Sequence, residues 1–197
     1  MTVLSKFTRN SILPYLIFIG VICLSCTTSR YFLANSKMEQ GFRLKTYQYV
    51  TIYDSVSAGF DELLLSDFFK AAGYEIIGEL EAPSKPPNSV LGVRYTLIPD
   101  TALGYSKVTI ALEDVTTDQT IFAARGSSYV GDPDFAPNNA KRRGWRKPDF
   151  DGGDGSSYQL ALVAAFAEID MALNGTNQES ATKRVWEKMY GLEGWGR

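Results

Sequence analysis

The chain has no histidine. Histidine is the side chain whose unperturbed pKa lies nearest neutrality, and it is the commonest metal ligand. Its absence excludes Ser-His-Asp and Cys-His nucleophile activation and every ordinary zinc site. Cysteine is nearly as scarce, with Cys23 and Cys26 the only two. The glycine loops that cradle nucleotide phosphates are missing as well, since neither G-x-G-x-x-G nor G-x-x-x-x-G-K-[ST] occurs. No unit repeats at a period of about 20–50 residues. A formal charge of −2 gives no reason to expect nucleic acid as a partner. Carboxylate, lysine or tyrosine chemistry survives, or none.

What is present begins at the N-terminus. Lys6 and Arg9 are the only charged side chains before Cys26, and an uncharged run follows from Ile12 to Leu24. A basic start ahead of an apolar run of about 7–15 residues is the secretory pattern. A membrane-spanning helix needs about 20 apolar residues, and this run is shorter and contains Pro14 and Gly20. Removal of residues 1–25 is therefore the expectation.

The run ends in Leu24-Ser25-Cys26, a small residue directly before a cysteine, and then turns polar at Thr27-Thr28-Ser29. This resembles the lipobox of bacterial lipoproteins, although that family prefers a small residue at the position of Leu24 and Leu or Val at that of Cys23. The resemblance implies that Cys26 carries lipid and becomes the first residue of the mature protein. One acyl chain gives only marginal binding, at about 0.8 kcal/mol per buried CH₂; the modification implied here supplies several. The same residues also read as an ordinary secretory signal cut after Ser25, or as an uncleaved signal anchor. With Cys26 committed to lipid and Cys23 removed, no disulfide framework remains, and the fold must stand on its apolar core.

Residues 26–45 lack a clear period and read as a tether, with Tyr31-Phe32-Leu33 a candidate for local docking. Thr46 to Tyr53 is rich in aromatic and β-branched residues and predicts a first strand. Gly59 to Ala72 switches to helical spacing, with Phe60, Leu64 and Phe68 on one stripe, widened by Leu63 and Phe69. Asp61 and Glu62 suit its first turn, and Gly73 supplies a stop. Tyr74 to Ile77 returns to strand.

Beyond the Pro-rich loop at 82–88, Leu91 to Leu97 alternates as a half-buried strand, and so does Val108 to Glu113. Ile121 to Arg125 closes a hairpin with the latter. Residues 130–156 form a long loop of Gly, Pro, Asp and Asn; loops beyond about 12–15 residues tend to be functional or disordered. A helix is expected from Ser157 to Asn174, capped by Ser156 or Ser157, with Tyr158, Leu162, Phe166, Ile169 and Leu173 on one face. Ser180 to Tyr190 predicts a shorter helix with Ala181, Val185, Trp186 and Met189 on one side. Residues 46–191 thus form a single α+β domain. A mostly antiparallel sheet starts with a strand–helix–strand unit and carries its helices on one face. Residues 192–197 are a tail.

Several patterns hint at chemistry and fall short. The run Lys141-Arg142-Arg143-Gly144-Trp145-Arg146-Lys147 could grip phosphates or stack on a base. Between Asp132 and Asp154, however, five bases meet five acids, so the loop compensates its own charge. Contact of Trp145 and Phe150 with headgroups or a protein partner is the lesser reading. Asp149-Phe-Asp-Gly-Gly-Asp-Gly has the look of a calcium loop, but the positions that require a ligand, glycine and glutamate hold Gly153, Asp154 and Leu160.

Ser180-Ala181-Thr182-Lys183 spells S-x-x-K, without the S-D-N and K-T-G that penicillin-recognising enzymes need; Ser180 reads as a helix cap. Asn174-Gly175-Thr176 is formally a sequon and reads better as a helix stop. Glu113-Asp114 should point to opposite faces of a strand, and Glu168 and Asp170 to different faces of a helix. Neither pair is preset for shared acid–base work. Trp186 is expected in the core, and Trp195 is left open.

From Thr46 to Leu173 the chain resembles small bacterial envelope lipoproteins. The likeness rests on the lipobox-like start, the helix ending in Ala-Gly-Tyr-Glu-Ile-Ile, and the strands Val108-Thr-Ile-Ala-Leu-Glu-Asp and Thr-Asp-Gln-Thr-Ile-Phe. The likeness supports the architecture more than any activity. The anchor, the tether and the lack of catalytic equipment lead to the expectation of a non-enzymatic module, held in the outer membrane of the envelope through lipid on Cys26, that binds another envelope component, a protein in the first instance, and uses no cofactor or metal. The alternatives are a carboxylate enzyme acting on cell-wall glycan and a carrier of a small apolar ligand.

Overall fold

The computed structural model describes residues 29–40, 43–53, 60–100, 105–131, 145 and 157–190. Strand β1 (Ser29–Met38) opens the described chain, and β2 (Tyr49–Ile52) follows a short 3-10 turn at Leu44–Thr46. Next come α1 (Phe60–Ala71), β3 (Glu75–Ile76), β4 (Val90–Asp100), β5 (Tyr105–Asp114) and β6 (Gln119–Gly131). Helices α2 (Ser157–Asn174) and α3 (Gln178–Tyr190) complete the order.

One six-stranded sheet runs β1-β6-β5-β4-β2-β3. The pairs β1/β6, β6/β5 and β5/β4 are antiparallel, while β4/β2 and β2/β3 are parallel. The architecture is α+β, with helices packed on the sheet as the pattern predicts.

The tether expected at 26–45 is corrected. Ser29 to Met38 pairs along its whole length with β6, from Ser29↔Gly131 to Met38↔Phe122. Strand β1 has no strong alternation of its own, because its outer end (Asn35 to Met38) is exposed on both faces. The partner strand, more than its own sequence, holds it. The strand–helix–strand unit is therefore the second stage of the chain; β2 starts later than expected because Leu44–Thr46 is a 3-10 turn, and β3 is only two residues long.

The β5–β6 hairpin is longer than its central apolar residues indicate, because β6 is paired on both sides. A register shift between Leu112 and Glu113 leaves an extra residue in β6. That bulge lets the neighbours Ile121 and Phe122 both enter the core.

Helix α1 ends as its sequence predicts. Gly73 has φ +94°, its N–H donates to Lys70 O, and Tyr74 N–H donates to Phe69 O, both at 3.0 Å. This is the Schellman arrangement, and its usual apolar contact is Phe69 edge-on to Tyr74 at 5.7 Å. Leu63, expected on the buried stripe, is 65% exposed, while Leu65 is buried in its place. Helix α3 is capped by Asn177, whose Oδ1 accepts Ser180 N–H at 2.9 Å, so Ser180 is inside the helix and not its cap. The helix-stop reading of Asn174-Gly175 fits: Gly175 has φ +66°, and its N–H reaches Met171 O.

Helix α2 is buried all round between Leu160 and Asp170, because β1, β5 and β6 lie under it and α3 packs beside it. Phe166 also meets Phe68 of α1 at 4.6 Å between ring centroids. Its small residues Ala161 and Ala165 lie over Gly126 of β6. A Cβ added there would sit 1.8 Å from Ala161 O and 2.6 Å from Ala165 N. Overpacking a tight site typically costs about 1–3 kcal/mol, and more where backbone must move. Gly126→Ala is expected to lower the urea midpoint by at least that equivalent, whereas Gly78→Ala, with nothing within 4 Å of the new methyl, should leave it nearly unchanged.

Candidate functional site

The helices cover one face of the sheet. Strand alternation assigns the other face. Across β1, β6 and β5 its rows are Tyr31–Tyr129–Tyr105, Leu33–Ser127–Lys107, Asn35–Arg125–Thr109 and Lys37–Ala123–Ala111. Two corners of this face carry small apolar clusters of their own. At the β3–β2–β4 corner, Ile77, Ala82 and Val90 pack with Tyr49 and Val115. At the diagonal corner, Tyr31 and Tyr129 are buried and Tyr105 and Trp145 pack against them. The Tyr105 and Trp145 rings are 6.4 Å apart and tilted.

Between these corners the face is polar and positive. Lys37 and Arg125 are exposed and Lys107 is half-buried, and none of the three has an ion-pair partner among the described residues. Arg94 differs: its Nε donates to Glu113 Oε2 at 2.8 Å, and its guanidinium lies 4.2 Å from the centroid of the Tyr53 ring. That ring in turn covers Gly92, where a Cβ would fall 2.5 Å from Tyr53 Cε2. Burial raises the Tyr53 pKa, with Arg94 opposing the rise. The bond to Glu113 holds the Arg94 pKa up.

The carboxylate pairs separate as the sequence predicts and are occupied. Glu113 faces Arg94, whereas Asp114 is buried on the helix side. Asp114 Oδ1 accepts Thr116 N–H at 2.8 Å and Thr117 N–H at 3.0 Å, which shapes the β5–β6 turn. Its Oδ2 accepts the Tyr47 hydroxyl at 2.7 Å. Glu168, also buried, accepts Ser36 Oγ–H at 2.5 Å and Gln178 Nε2–H at 3.1 Å, so it joins β1, α2 and α3. Asp170 is paired with Arg184 and accepts Asn174 Nδ2–H at 2.8 Å.

A pocket of about 270 Å³ opens between the 3-10 turn and the C-terminal ends of α1 and α2, lined by Lys45, Tyr47, Gly73, Tyr74 and Asn174 among others. No carboxylate lines it. Among the described residues, no group of three or more His, Cys, Asp or Glu could hold a metal ion, and no helix is long and apolar enough to cross a membrane.

Cys26, the signal at 1–25, the tail at 192–197 and most of the loop at 130–156 lie outside the described residues; so do the basic run and the Asp149 motif, except for Trp145. Trp186 is in the core with 8% exposure, 5.0 Å from the Tyr190 ring. Sequence reasoning missed the aromatic row and the unpaired cations, since each depends on β1 being a strand. A weak signal existed in Tyr31, Tyr105 and Tyr129, which become neighbours once β1 is aligned on the hairpin.

No family model and no curated protein matches the chain. Solved structures similar to it include the PelC L103M dodecamer from Paraburkholderia phytofirmans, at 15% identity and TM-score 0.33, covering 55% of this chain and 87% of that one. Another is the PelC dodecamer from the same organism, at 16% identity and TM-score 0.33, covering 56% and 87%. A likeness at that level bears on neither activity nor partner.

Two predictions follow from these contacts. Glu168→Ala leaves the Ser36 hydroxyl and the Gln178 amide without their acceptor and should cost about 1–3 kcal/mol; Glu113→Ala, which breaks a pair whose arginine is 57% exposed, should cost under about 1 kcal/mol. Hydrogen exchange at residues 30–38 is the check, with faster exchange expected only for Glu168→Ala.

The second concerns alkaline pH. Burial pushes the Tyr74 hydroxyl from 10.0 up to about 12, and burial with the nearby Asp114 raises Tyr47 further still. Above pH 10 the unfolded chain loses these protons while the native state keeps them, so stability is full below pH 10 and falls as pH rises toward 12. Urea titrations between pH 9 and pH 11.5 should show that fall, and Tyr74→Phe should reduce its slope while leaving the part due to Tyr47.

Proposed function

We propose that this protein is an envelope lipoprotein, held at the outer membrane through lipid on Cys26, that works as a non-catalytic binding module for another envelope protein. The observation that carries the binding reading is the sheet face opposite the helices, which no described helix covers and on which Lys37, Lys107 and Arg125 have no ion-pair partner among the described residues. Three cations on one side of a β-surface, none of them ion-paired among the described residues, while Glu113 on that side is engaged by Arg94, favour an acidic partner surface. Complementary charge of this kind steers encounter and sets register more than it adds affinity.

The glycan-enzyme alternative requires two carboxyl groups about 5–10 Å apart in a cleft. Glu168 and Asp170 are engaged between β1, α2 and α3, and the pocket at the helix ends has no carboxylate. The carrier alternative calls for an enclosed apolar cavity of about 300 Å³ or more, whereas that pocket is an open one of about 270 Å³ with lysine, tyrosine and asparagine in its wall.

Cys26→Ala is expected to abolish labelling by radioactive palmitate and to move the protein out of the membrane fraction; label that persists would defeat the anchor. For the partner, a photo-crosslinker at Thr109 in intact cells should give a discrete adduct that is lost in Lys37→Glu/Arg125→Glu. An adduct indifferent to that double charge reversal would defeat the binding surface.

A further inference from the structure

Because β1 starts at Ser29, only Thr27 and Thr28 separate Cys26 from the sheet. A chain of that length spans about 10 Å at most. Lipid on Cys26 would therefore hold the first residues of β1 close to the headgroups, with no slack for the domain to stand away. The row that begins two residues later is the aromatic one, Tyr31–Tyr129–Tyr105, with Trp145 against it. Next to it lies the row of Leu33 and Lys107, extended onto β4 by Ile98, which pairs with Lys107 and is 51% exposed.

We infer that this corner of the open face is a membrane-docking surface, seated on the phospholipid headgroups of the leaflet that holds the Cys26 lipid. The inference rests on the lipid-anchor reading. Trp and Tyr are the side chains that settle at the membrane–water interface, because an apolar ring and a polar tip are both satisfied there. The exposed Ile98 adds an apolar contact, and Lys107 beside it can reach a phosphate. Buried Tyr31 and Tyr129 pack against this half-buried pair and hold it in place. The occupant is set by the chain itself: whichever surface the two-residue connection reaches first is the bilayer.

The test uses the full lipidated chain in vesicles of phosphatidylethanolamine and phosphatidylglycerol that contain dibrominated phosphatidylcholine. Trp195→Phe removes one reporter, and Trp186, shut in the core, gives a constant background. The Trp145 signal is then the difference between that chain and Trp145→Phe/Trp195→Phe. Trp145 is expected to be quenched severalfold more strongly when bromine lies near the headgroup end of the acyl chain than when it lies near the bilayer centre. Ile98→Asp, an exposed position with no role in the core, should weaken the quenching severalfold.

Palmitate label on Cys26 without bromolipid quenching of Trp145 would overturn the docking surface and leave the anchor standing. Quenching unchanged by Ile98→Asp would reduce the corner to mere proximity and also overturn it. Absence of label would defeat the anchor itself, and the inference with it.

Discussion

Gly126 lets the backbone of α2 lie directly on the sheet, and the surrounding core is arranged around that approach. Gly126 pairs with Ala34 on one side and Val108 on the other, so three strands present small or slender side chains under Ala161 and Ala165. With the helix seated this low, residues on every side of it are buried, from Leu160 through Asp170. Dispersion and apolar burial then act around the whole circumference of α2, where an amphipathic surface helix would use one stripe. The cost is that its two acids are buried as well, and each needs partners.

Those partners explain why β1 belongs to the fold. Glu168 finds donors in Ser36 on the edge strand and Gln178 at the start of α3. Gln178 also lies 3.5 Å from Ala34 O. One carboxylate thus ties three elements at a place where a solvated helix would simply have faced water. The same logic holds at the other end of the sheet, where buried Asp114 is satisfied by two turn amides and Tyr47. These buried acids act as joints between elements, which accounts for their burial without any catalytic role in the contacts they make.

This separates what could be read along the chain from what could not. Helix α1 and its Gly73 stop, the centres of β4, β5 and β6 and the span of α2 each follow from local period and turn chemistry and stand where expected, although the strands run longer than their apolar centres. Strand β1 was opaque because half of its residues are exposed edge positions, and its identity comes from pairing with a strand far along the sequence. Leu63 misled because a stripe defined by spacing does not reveal which flank is covered; Leu65 has the sheet beside it and Leu63 has solvent. The open face was invisible for the same reason as β1. Tyr31, Tyr105 and Tyr129 are unremarkable singly and become a row only in register.

The register also sorts the positive residues by height above a membrane. If the Tyr31 row lies at headgroup level, Lys107, one row on, is about 7 Å farther along the strands, at about 3.4 Å per residue. Arg125 is about 14 Å away and Lys37 about 20 Å on the same spacing. The Debye length at physiological salt is about 8 Å, so Lys107 still feels lipid phosphate, while Arg125 and Lys37 are largely screened from it. Those two cations gain little from the bilayer. Without an ion-pair partner among the described residues, they suit the proposed protein partner better than lipid, and a domain held by a two-residue connection would present them at that height in a fixed orientation. On the proposed anchoring, a connection this short would do more than localise: it would remove rotational freedom that a partner must otherwise overcome on binding.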